Sequence, residues 1–451
     1  MKLKFFLLFV ITLTAIMLRV YNYEGRTNYG WDQARDVGVI EQSLKSNRLP
    51  LLGPIVRGDI GGFYLGPLYH YMVQPIYALT SHNPLSLVWF SILADVAVAL
   101  GLAVWISPLA GVIWATSSLL INSALTPWNV SLVHPWMFAI LFLSTRLLRR
   151  PSPLLNHIFL LILATSTSIH LTLLPVAGVL LLYVAVPIWR ATRHLYHWLL
   201  YILALFLPQL PLILSDLKTS GSNLRAFKDY LFIKSGEVPV SLFEFVKVLI
   251  SKIGYTTSRL FVGEPYLVLG CLIFIILIFY ASIHWKANTK IQLALLIIVT
   301  LILSLLLYRD PGFAEYYLNA MFIPLVILAS QILSTLPRPV VYILLAFAVG
   351  SSFNSLDFRT GPYSMRTKRD LLTSASTYIK DGVELRLLLP ESQQFGFDYY
   401  LDKLNISARS DNRLKLYVAD SGLDHIPAPQ EAQSVIYQTS LAGFRLVVFS
   451  N

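Results

Sequence analysis

Long stretches without charge are the feature that most limits what this chain can fold into. Tyr266–Ile283 and Ile291–Tyr308 are uncharged and close to the length that an α-helix needs to cross a bilayer. Only 13% of the 451 residues are charged, about half the share of a soluble domain, and 56% are hydrophobic. A soluble protein with so many apolar runs would aggregate, so the sequence predicts a polytopic α-helical membrane protein.

The lengths of the apolar runs predict about 11 transmembrane helices. The stretch from residue 155 to residue 188 is divided into two spans because it is too long for one. The predicted spans are Phe5–Tyr21, Leu85–Ile106, Leu109–Ile121, Ser131–Leu147, Leu155–His170, Leu171–Ile188, Trp198–Leu214, Tyr266–Ile283, Ile291–Tyr308, Tyr316–Ile332 and Val340–Ser352.

Positive charges concentrate in the short connections predicted to lie on one side of the membrane. Met1–Lys4, Arg146–Pro153, Arg190–His197, His284–Lys290 and Leu336–Pro339 contain Lys or Arg but no Asp or Glu. This positive-inside pattern predicts a cytoplasmic N-terminus and, with an odd number of spans, an extracytoplasmic C-terminus. The net charge of +11 therefore reflects membrane topology, and we expect no nucleic-acid partner.

Three long segments are predicted to lie outside the cytoplasm: Asn22–Pro84, Ser215–Pro265 and Ser355–Asn451. The first contains Pro67–Leu79, which is apolar and aromatic but too short to span, and which predicts an interfacial helix or a very short span. The second contains an amphipathic stretch near Leu242–Ile250.

The last segment predicts a small soluble α/β domain. Met365–Ile379 has a helical pattern, and three apolar runs bounded by turn residues predict strands at Glu384–Leu389, Leu414–Val418 and Phe444–Phe449. The single cysteine, Cys271, excludes a disulfide within the chain. The predicted division is a transmembrane domain over residues 1–354, with outer loops 22–84 and 215–265, and an extracytoplasmic domain over residues 355–451.

Two carboxylates lie four residues apart in the first outer segment. Asp32 and Asp36 would fall on one face of a helix. An acidic pair at a bilayer surface suits chemistry on a lipid-borne substrate, which favours an enzyme over a passive pore.

Four short motifs carry a family resemblance: Leu18-Arg19-Val20-Tyr21, Trp31-Asp32-Gln33-Ala34-Arg35-Asp36, Gly66-Pro67-Leu68-Tyr69-His70-Tyr71 and Thr126-Pro127-Trp128-Asn129-Val130-Ser131. Together they resemble the GT-C superfamily of membrane glycosyltransferases, especially the branch of protein O-mannosyltransferases and the lipid A aminoarabinose transferase. In that branch an Asp-Glu pair follows span one and a His-Pro-Pro-Leu-type segment comes later in the loop. Here Gln33 replaces the Glu and Gly66 replaces the His.

The resemblance implies a GT-C fold and the inverting transfer of a hexosyl or pentosyl group from a polyprenyl-phosphate donor to a protein, lipid or glycan acceptor outside the cytoplasm. The acceptor hydroxyl must lose its proton as it attacks the anomeric carbon. A positioned carboxylate can take that proton, which contributes on the order of 10²–10⁴-fold. The resemblance assigns this role to Asp32, and the spacing adds Asp36 as a second catalytic candidate.

Further residues are candidates for binding. The departing lipid phosphate needs cationic donors, for which the outer segments offer Arg57, Arg225, Lys228 and Arg309. The candidates for substrate binding are Trp31, Arg35, Tyr69 and His70. Plainer interpretations are cations that snorkel to lipid headgroups and aromatic side chains that anchor a helix at the interface. No cofactor is expected; Asp32, Asp36 and His70 could together bind a divalent metal, but no spacing here is specific for one.

Two other functions remain open from the sequence. Asp95 is the one acidic residue within a predicted span, where a charge is costly, and a proton-coupled transporter or lipid flippase would use such a residue. A protonated Asp95 hydrogen-bonded between helices would instead serve structure alone. The third hypothesis is a non-catalytic scaffold that presents Ser355–Asn451.

Overall fold

The computed structural model describes residues 2–56, 62–192, 194–232, 241–286, 288–308, 313–380, 382–389, 393–408, 414–420, 434–441 and 444–450. These residues form two compact units. We name the first, Met1–Arg19 with Gln42–Leu356, the helical unit, and the second, Val20–Glu41 with Asp357–Asn451, the mixed unit. The predicted division at residue 354 concerned which part lies in the bilayer, and it stays a prediction.

Helices account for most of the described chain. In chain order the elements are α1 Lys2–Val20, α2 Tyr23–Arg26, α3 Trp31–Ser46, β1 Ile55–Val56, β2 Phe63–Tyr64, α4 Leu68–Leu79, α5 Ser86–Trp105, α6 Pro108–Thr116, α7 Ser118–Ala124, α8 Val133–Arg149, α9 Pro153–Ser166, α10 Leu173–Ala191, α11 Leu195–Phe206, α12 Leu210–Lys218, α13 Ser222–Phe232, α14 Leu242–Phe261, α15 Leu267–His284, α16 Thr289–Tyr308, α17 Phe322–Thr335, α18 Arg338–Asn354, α19 Met365–Ala375, β3 Glu384–Leu388, α20 Phe397–Lys403, β4 Leu414–Asp420, β5 Ser434–Leu441 and β6 Phe444–Ser450. Short 3₁₀ helices at Asn129–Leu132, Leu207–Gln209 and Glu315–Met321 precede α8, α12 and α17.

Seven helical stretches are long and apolar enough to cross a membrane, judged by length and composition within the described residues. They are Ser86–Trp105, Asn129–Arg149, Leu173–Ala191, Leu195–Lys218, Leu267–His284, Thr289–Tyr308 and Glu315–Thr335. The apolar helices α9 and α18 are shorter. The polytopic α-helical fold class is confirmed, whereas the predicted count of about 11 spans is not.

The predicted span over Leu109–Ile121 is wrong as a single helix. Ser117 has an extended backbone, with φ −63° and ψ 120°, and the chain divides there into α6 and α7. The carbonyls of Trp114 and Ala115 in the last turn of α6 accept hydrogen bonds from Arg19 of α1. The carbonyls left without helical partners by the break are therefore satisfied inside the bundle.

Serine and proline determine where two apolar helices begin. Ser107 and Ser152 cap α6 and α9, and each hydroxyl accepts a hydrogen bond from the backbone N–H three residues further on. A proline follows each cap at the first helical position, where its missing N–H has no helical partner to lose. Both starts are therefore readable from local sequence.

Two glycines allow α14 to lie directly against the apolar helix α15. A Cβ on Gly270 would overlap the carbonyl oxygen of Gly254, and a Cβ on Gly254 would press on Leu267 and Cys271. Only glycine permits such a close approach of two helix backbones. The amphipathic stretch predicted at Leu242–Ile250 is thus the first half of a longer helix packed on α15.

The tail forms a four-stranded sheet in the order β3-β4-β6-β5 within the mixed unit. β3 and β4 are parallel, and the other two pairs are antiparallel, with an irregular register between Val435 and Tyr437. β6 is buried along most of its length, as expected for an inner strand. The small α/β domain predicted from the sequence is confirmed, although β5 and α20 were not predicted.

Residues preceding α3 are part of this mixed unit, which the sequence did not indicate. The Gly361 N–H donates to the carbonyl of Gly25 at 2.7 Å, and the Met365 N–H donates to the carbonyl of Thr27 at 3.3 Å. Asn28 and Ser364 form an isolated antiparallel bridge. The chain entering the acidic helix is therefore held by backbone bonds to the tail.

Candidate active site

The acidic pair lies at the start of α3, in the mixed unit. Gly30 is the N-cap, since its carbonyl accepts the first helical hydrogen bond, from Ala34 N–H at 3.1 Å. The buried Gln33 reaches back, and its Oε1 accepts from the Gly30 N–H at 2.9 Å. This is one half of a capping box, which a glutamine serves as well as a glutamate. Gln33, one of the two residues at which the sequence departs from the pattern it resembles, therefore caps the start of the helix.

Arg35 joins the two carboxylates. Its Nη1 donates to Asp32 Oδ1 at 2.7 Å, while its Nε and Nη2 donate to Asp36 Oδ1 at 2.9 and 2.8 Å. The guanidinium also lies 5.0 Å from the centre of the Trp31 ring, a cation–π arrangement. Four of the predicted site residues are thus brought together within two turns of one helix.

The two carboxylates differ in their exposure to solvent. The Asp32 side chain is 33% exposed, whereas that of Asp36 is fully buried. Partial burial raises the pKa of Asp32 above its ordinary value; Arg35 acts to lower it and the charge of Asp36 acts to raise it. Asp32 sits in the first turn, where the helix dipole favours a carboxylate. The accessible carboxylate is therefore Asp32, whereas the buried Asp36 holds Arg35 through two hydrogen bonds.

The predicted substrate-binding residues Tyr69 and His70 belong to the helical unit. Both lie on α4, the helix predicted at Pro67–Leu79, and both are buried, at 1% and 0% exposure. Tyr77 is buried as well, whereas the Tyr71 hydroxyl donates to the carbonyl of Pro50 at 2.6 Å. Tyr69 and Tyr77 therefore pack inside the protein, which does not fit the plainer interpretation of Tyr69 as an anchor at the membrane interface.

Two of the four predicted phosphate-binding cations lie among the residues that the structure describes. Arg225 and Lys228 lie exposed on α13, and Arg225 Nη1 donates to the carbonyl of Ser220 at 2.6 Å. Arg57 and Arg309 lie outside the described residues. Within the described part of the chain, no group of three or more His, Cys, Asp or Glu side chains is arranged to hold a metal ion.

A large apolar groove lies within the helical unit. Its volume is about 890 Å³, and residues of β2, α9, α10, α11, α12 and α13 line it, among them Leu163, Leu174, Gly178, Leu205, Leu212 and Phe227. Its polar lining residues include Asp216 and Asn223. Asp216 Oδ1 accepts from the Asn223 and Leu224 N–H groups, and the Asn223 side-chain amide pairs with both backbone groups of Tyr64. These polar groups are engaged with one another, so the groove presents a mainly apolar surface.

A cationic pair that the sequence reading missed lies on α14. Arg259 Nη1 is 2.9 Å and Lys252 Nζ is 3.8 Å from the carboxylate of Glu315. All three side chains are about one-third exposed. The two cations are seven residues apart on one helix face, a spacing that the amphipathic pattern would have shown had it been followed beyond residue 250.

Asp95 is buried and fully engaged. Its Oδ2 accepts from Arg19 Nε at 2.7 Å, and its Oδ1 accepts from Trp114 Nε1 at 3.0 Å. Arg19 has no exposed surface and also donates to the carbonyls of Ala15, Ala115 and Trp114. A partnered carboxylate of this kind suits the structural interpretation of Asp95 rather than the transporter hypothesis, and Arg19 was not recognised as its partner from sequence.

Two crystal structures of ArnT from Cupriavidus metallidurans are similar to this chain over almost its whole length. The apo structure has a TM-score of 0.59 and the structure bound to undecaprenyl phosphate a TM-score of 0.58. Each shares 11% sequence identity and covers 99% of this chain and 97% of ArnT. The likeness shows that the chain has the fold of ArnT, in agreement with the fold that the resemblance implied.

A third solved structure is more distant. The oligosaccharyltransferase of Archaeoglobus fulgidus, in complex with Zn and sulfate, has a TM-score of 0.45 and 11% identity, over 92% of this chain and 68% of that one. The fold assignment therefore rests on the two ArnT structures. Neither a protein-family model nor a curated protein matches the sequence.

The Arg19–Asp95 pair yields a stability prediction. Arg19→Met should lower the free energy of unfolding by about 3–5 kcal/mol, because it leaves Asp95 buried without its cation. The double variant Arg19→Met/Asp95→Leu should regain most of that loss, since neither charge remains. Denaturation of the detergent-solubilised protein measures both, and the exposed Arg150→Met is the matched control. A double variant no more stable than Arg19→Met would contradict the pairing.

Proposed function

We propose that this protein is a membrane glycosyltransferase that moves a hexosyl or pentosyl group from a polyprenyl-phosphate donor to a hydroxyl acceptor on the extracytoplasmic side, with inversion. The observation that carries the proposal is the full-length likeness to ArnT, one of whose structures contains undecaprenyl phosphate. The acceptor is a protein, lipid or glycan hydroxyl. The proposed topology, with a cytoplasmic N-terminus, rests on the positive-inside distribution of Lys and Arg.

The groove of the helical unit supports a lipid-linked donor. A polyprenyl chain is purely hydrocarbon, so it needs a long apolar surface and offers nothing to polar partners. The groove provides such a surface, and its polar lining residues Asp216 and Asn223 are already hydrogen-bonded within the protein. Burying hydrocarbon contributes about 25 cal/mol per Å² of apolar surface removed from water. We assign the groove to the carrier's tail.

Cations of the helical unit support recognition of the carrier's phosphate. Arg225 and Lys228 are exposed on α13, whose residues Asn223, Leu224 and Phe227 line the groove. One helix thus combines an apolar lining with exposed positive charge. As the bond from the sugar to the phosphate breaks, negative charge grows on the phosphate, and a nearby cation stabilises it. The pair Lys252 and Arg259 on α14 is an additional candidate, in which Glu315 orients both cations.

Asp32 supports the proton transfer. In the proposed step the acceptor oxygen attacks the anomeric carbon, the bond between that carbon and the phosphate oxygen breaks, and the acceptor's proton passes to the Asp32 carboxylate. Asp32 is partly exposed, its pKa is raised by burial, and Arg35 holds one of its oxygens. A raised pKa makes a carboxylate a stronger base, which suits this role. Asp36 contributes by anchoring Arg35, and Trp31 and Arg35 offer a surface for the sugar or the acceptor.

Replacing Asp32 tests the base assignment. Asp32→Asn should lower kcat by on the order of 10²–10⁴-fold, because the amide cannot accept the proton. Mass spectrometry of lipid co-purified with the protein identifies the carrier, and transfer from the corresponding labelled polyprenyl-phosphate sugar is then measured. Asp402→Asn, which removes an exposed carboxylate of the same unit, should be unaffected. Full activity of Asp32→Asn would remove Asp32 from the mechanism.

The charges around Asp32 predict two opposite pH shifts. Activity requires ionised Asp32, so kcat/KM should fall as pH drops through the pKa of its carboxyl. Arg35 lowers that pKa and Asp36 raises it. Arg35→Met should therefore move the acid limb of the profile to higher pH, and Asp36→Asn should move it to lower pH. The exposed Arg366→Met is the control. If the acid limb moves in the same direction in Arg35→Met and in Asp36→Asn, the assignment of the limb to Asp32 is disproved.

Filling the groove tests the carrier site. Gly178 lines the groove, and a Cβ there would meet no atom within 4 Å. Gly178→Trp should raise the KM for the donor roughly 10-fold or more, equivalent to about 1.4 kcal/mol of lost contact, and leave kcat unchanged. Gly350→Trp, on α18 and equally free of neighbours at its Cβ, is the matched control. An unchanged donor KM in Gly178→Trp would show that the groove holds something else.

A further inference from the structure

Lys368 is a buried lysine that makes no ion pair within the described residues. It lies on α19 of the mixed unit with 0% of its surface exposed. Its ammonium donates to the carbonyl of Tyr29 at 2.9 Å and to the carbonyl of Phe395 at 2.7 Å, and it lies 5.7 Å from the centre of the Phe397 ring. Lysine is almost never fully buried without an ionic partner, because its charge loses its hydration. Burial lowers the pKa of Lys368 to about 7.

The carbonyl that Lys368 holds is adjacent to the acidic helix. Tyr29 immediately precedes Gly30, the N-cap of α3, and Asp32 lies in the first turn that follows. The Tyr29 ring is also buried, and a Cβ on Gly396 would lie 3.2 Å from its Cδ1 atom. Gly396 itself has φ +93°, which suits glycine. Both the backbone and the ring of Tyr29 are thus held, and with them the point from which α3 starts.

Attachment of this segment to the tail does not depend on Lys368. Arg369 Nη1 donates to both oxygens of Glu24, at 2.7 and 2.6 Å, and the Tyr400 hydroxyl donates to Glu24 at 3.2 Å. Backbone bonds join the residues around Gly25 and Thr27 to the tail as well. An apolar side chain in place of Lys368 would avoid the cost of burying a charge. What the ammonium adds is a fixed position for two particular carbonyls, those of Tyr29 and Phe395, because it donates a hydrogen bond to each.

We propose that Lys368 is a positioning residue for the transfer reaction, which fixes the Tyr29–Gly30 backbone so that Asp32 is presented in a single orientation. The C-terminal domain is then part of the catalytic machinery and not an accessory module. This inference rests on the proposed function, in which Asp32 receives the acceptor's proton.

Full-length Lys368→Met tests the inference, because methionine keeps an apolar stem but removes both hydrogen bonds. We expect kcat per folded molecule to fall on the order of 10- to 100-fold, since a base displaced by about 1 Å can lose 10²-fold. The KM for the polyprenyl donor should stay within about twofold, because the base acts in the transition state. Lys368→Arg, which keeps the donors, should recover part of kcat, whereas the exposed Lys380→Met should match wild type.

Hydrogen exchange gives a second readout that needs no substrate. In Lys368→Met, exchange at the backbone amides of residues 30–34 should accelerate, while β4 and β6 keep their protection, because the loss is local. If β4 and β6 lose protection too, Lys368 serves folding and the inference is overturned. Wild-type kcat in folded Lys368→Met overturns it as well, and leaves the proposed function intact. Full activity of Asp32→Asn removes Asp32 from the mechanism and overturns the inference with it, whereas the exchange result still reports whether Lys368 orders the helix start.

Discussion

The helical unit depends on one buried ion pair, between Arg19 at the end of α1 and Asp95 in the middle of α5. The guanidinium is surrounded by acceptors: the Asp95 carboxylate and the carbonyls of Ala15, Trp114 and Ala115. It therefore joins α1 to α5 and also closes the end of α6, where the chain breaks at Ser117. Two opposite charges placed in an apolar bundle are stable only when each meets the other with its remaining donors and acceptors satisfied. This arrangement meets that requirement, and it explains why a carboxylate is tolerated within a span.

In the mixed unit too, buried polar groups are paired with partners inside the protein. Its acidic helix starts at a glycine whose N–H is capped by Gln33, and the preceding carbonyl is held by a buried ammonium. Hydrogen bonds to a helix start fix its direction, because the first turn has donors and acceptors that no helical partner satisfies. Because Asp32, Arg35 and Asp36 lie in the first two turns of α3, the direction of the helix start sets where their side chains lie. In the proposed reaction Asp32 needs this fixed orientation, because a base must be placed precisely against the acceptor's proton.

Local signals in the sequence were sufficient for much of this structure. Apolar runs located the seven described helical stretches that are long and apolar enough to cross a membrane. Apolar runs bounded by turn residues located three strands of the tail. The motif around Asp32 indicated the GT-C fold. By contrast, the apolar pattern over Leu109–Ile121 was misleading. Hydropathy does not show that the helix breaks at Ser117, where the distant Arg19 donates hydrogen bonds to the carbonyls at the end of α6. The burial of Tyr69 does not fit its interpretation as an anchor at the membrane interface, since a tyrosine suits a buried position as well.

The sequence by itself determined that the protein is a polytopic helical membrane protein, because uncharged runs of this length form helices in a bilayer. Only the tertiary structure decided which polar groups would be partners. Arg19 and Asp95 are 76 residues apart, and Lys368 and Tyr29 are 339 residues apart. Such pairs form because burial removes water as an alternative partner. Which groups are buried together depends on how the whole chain packs, and no local stretch of sequence contains that information.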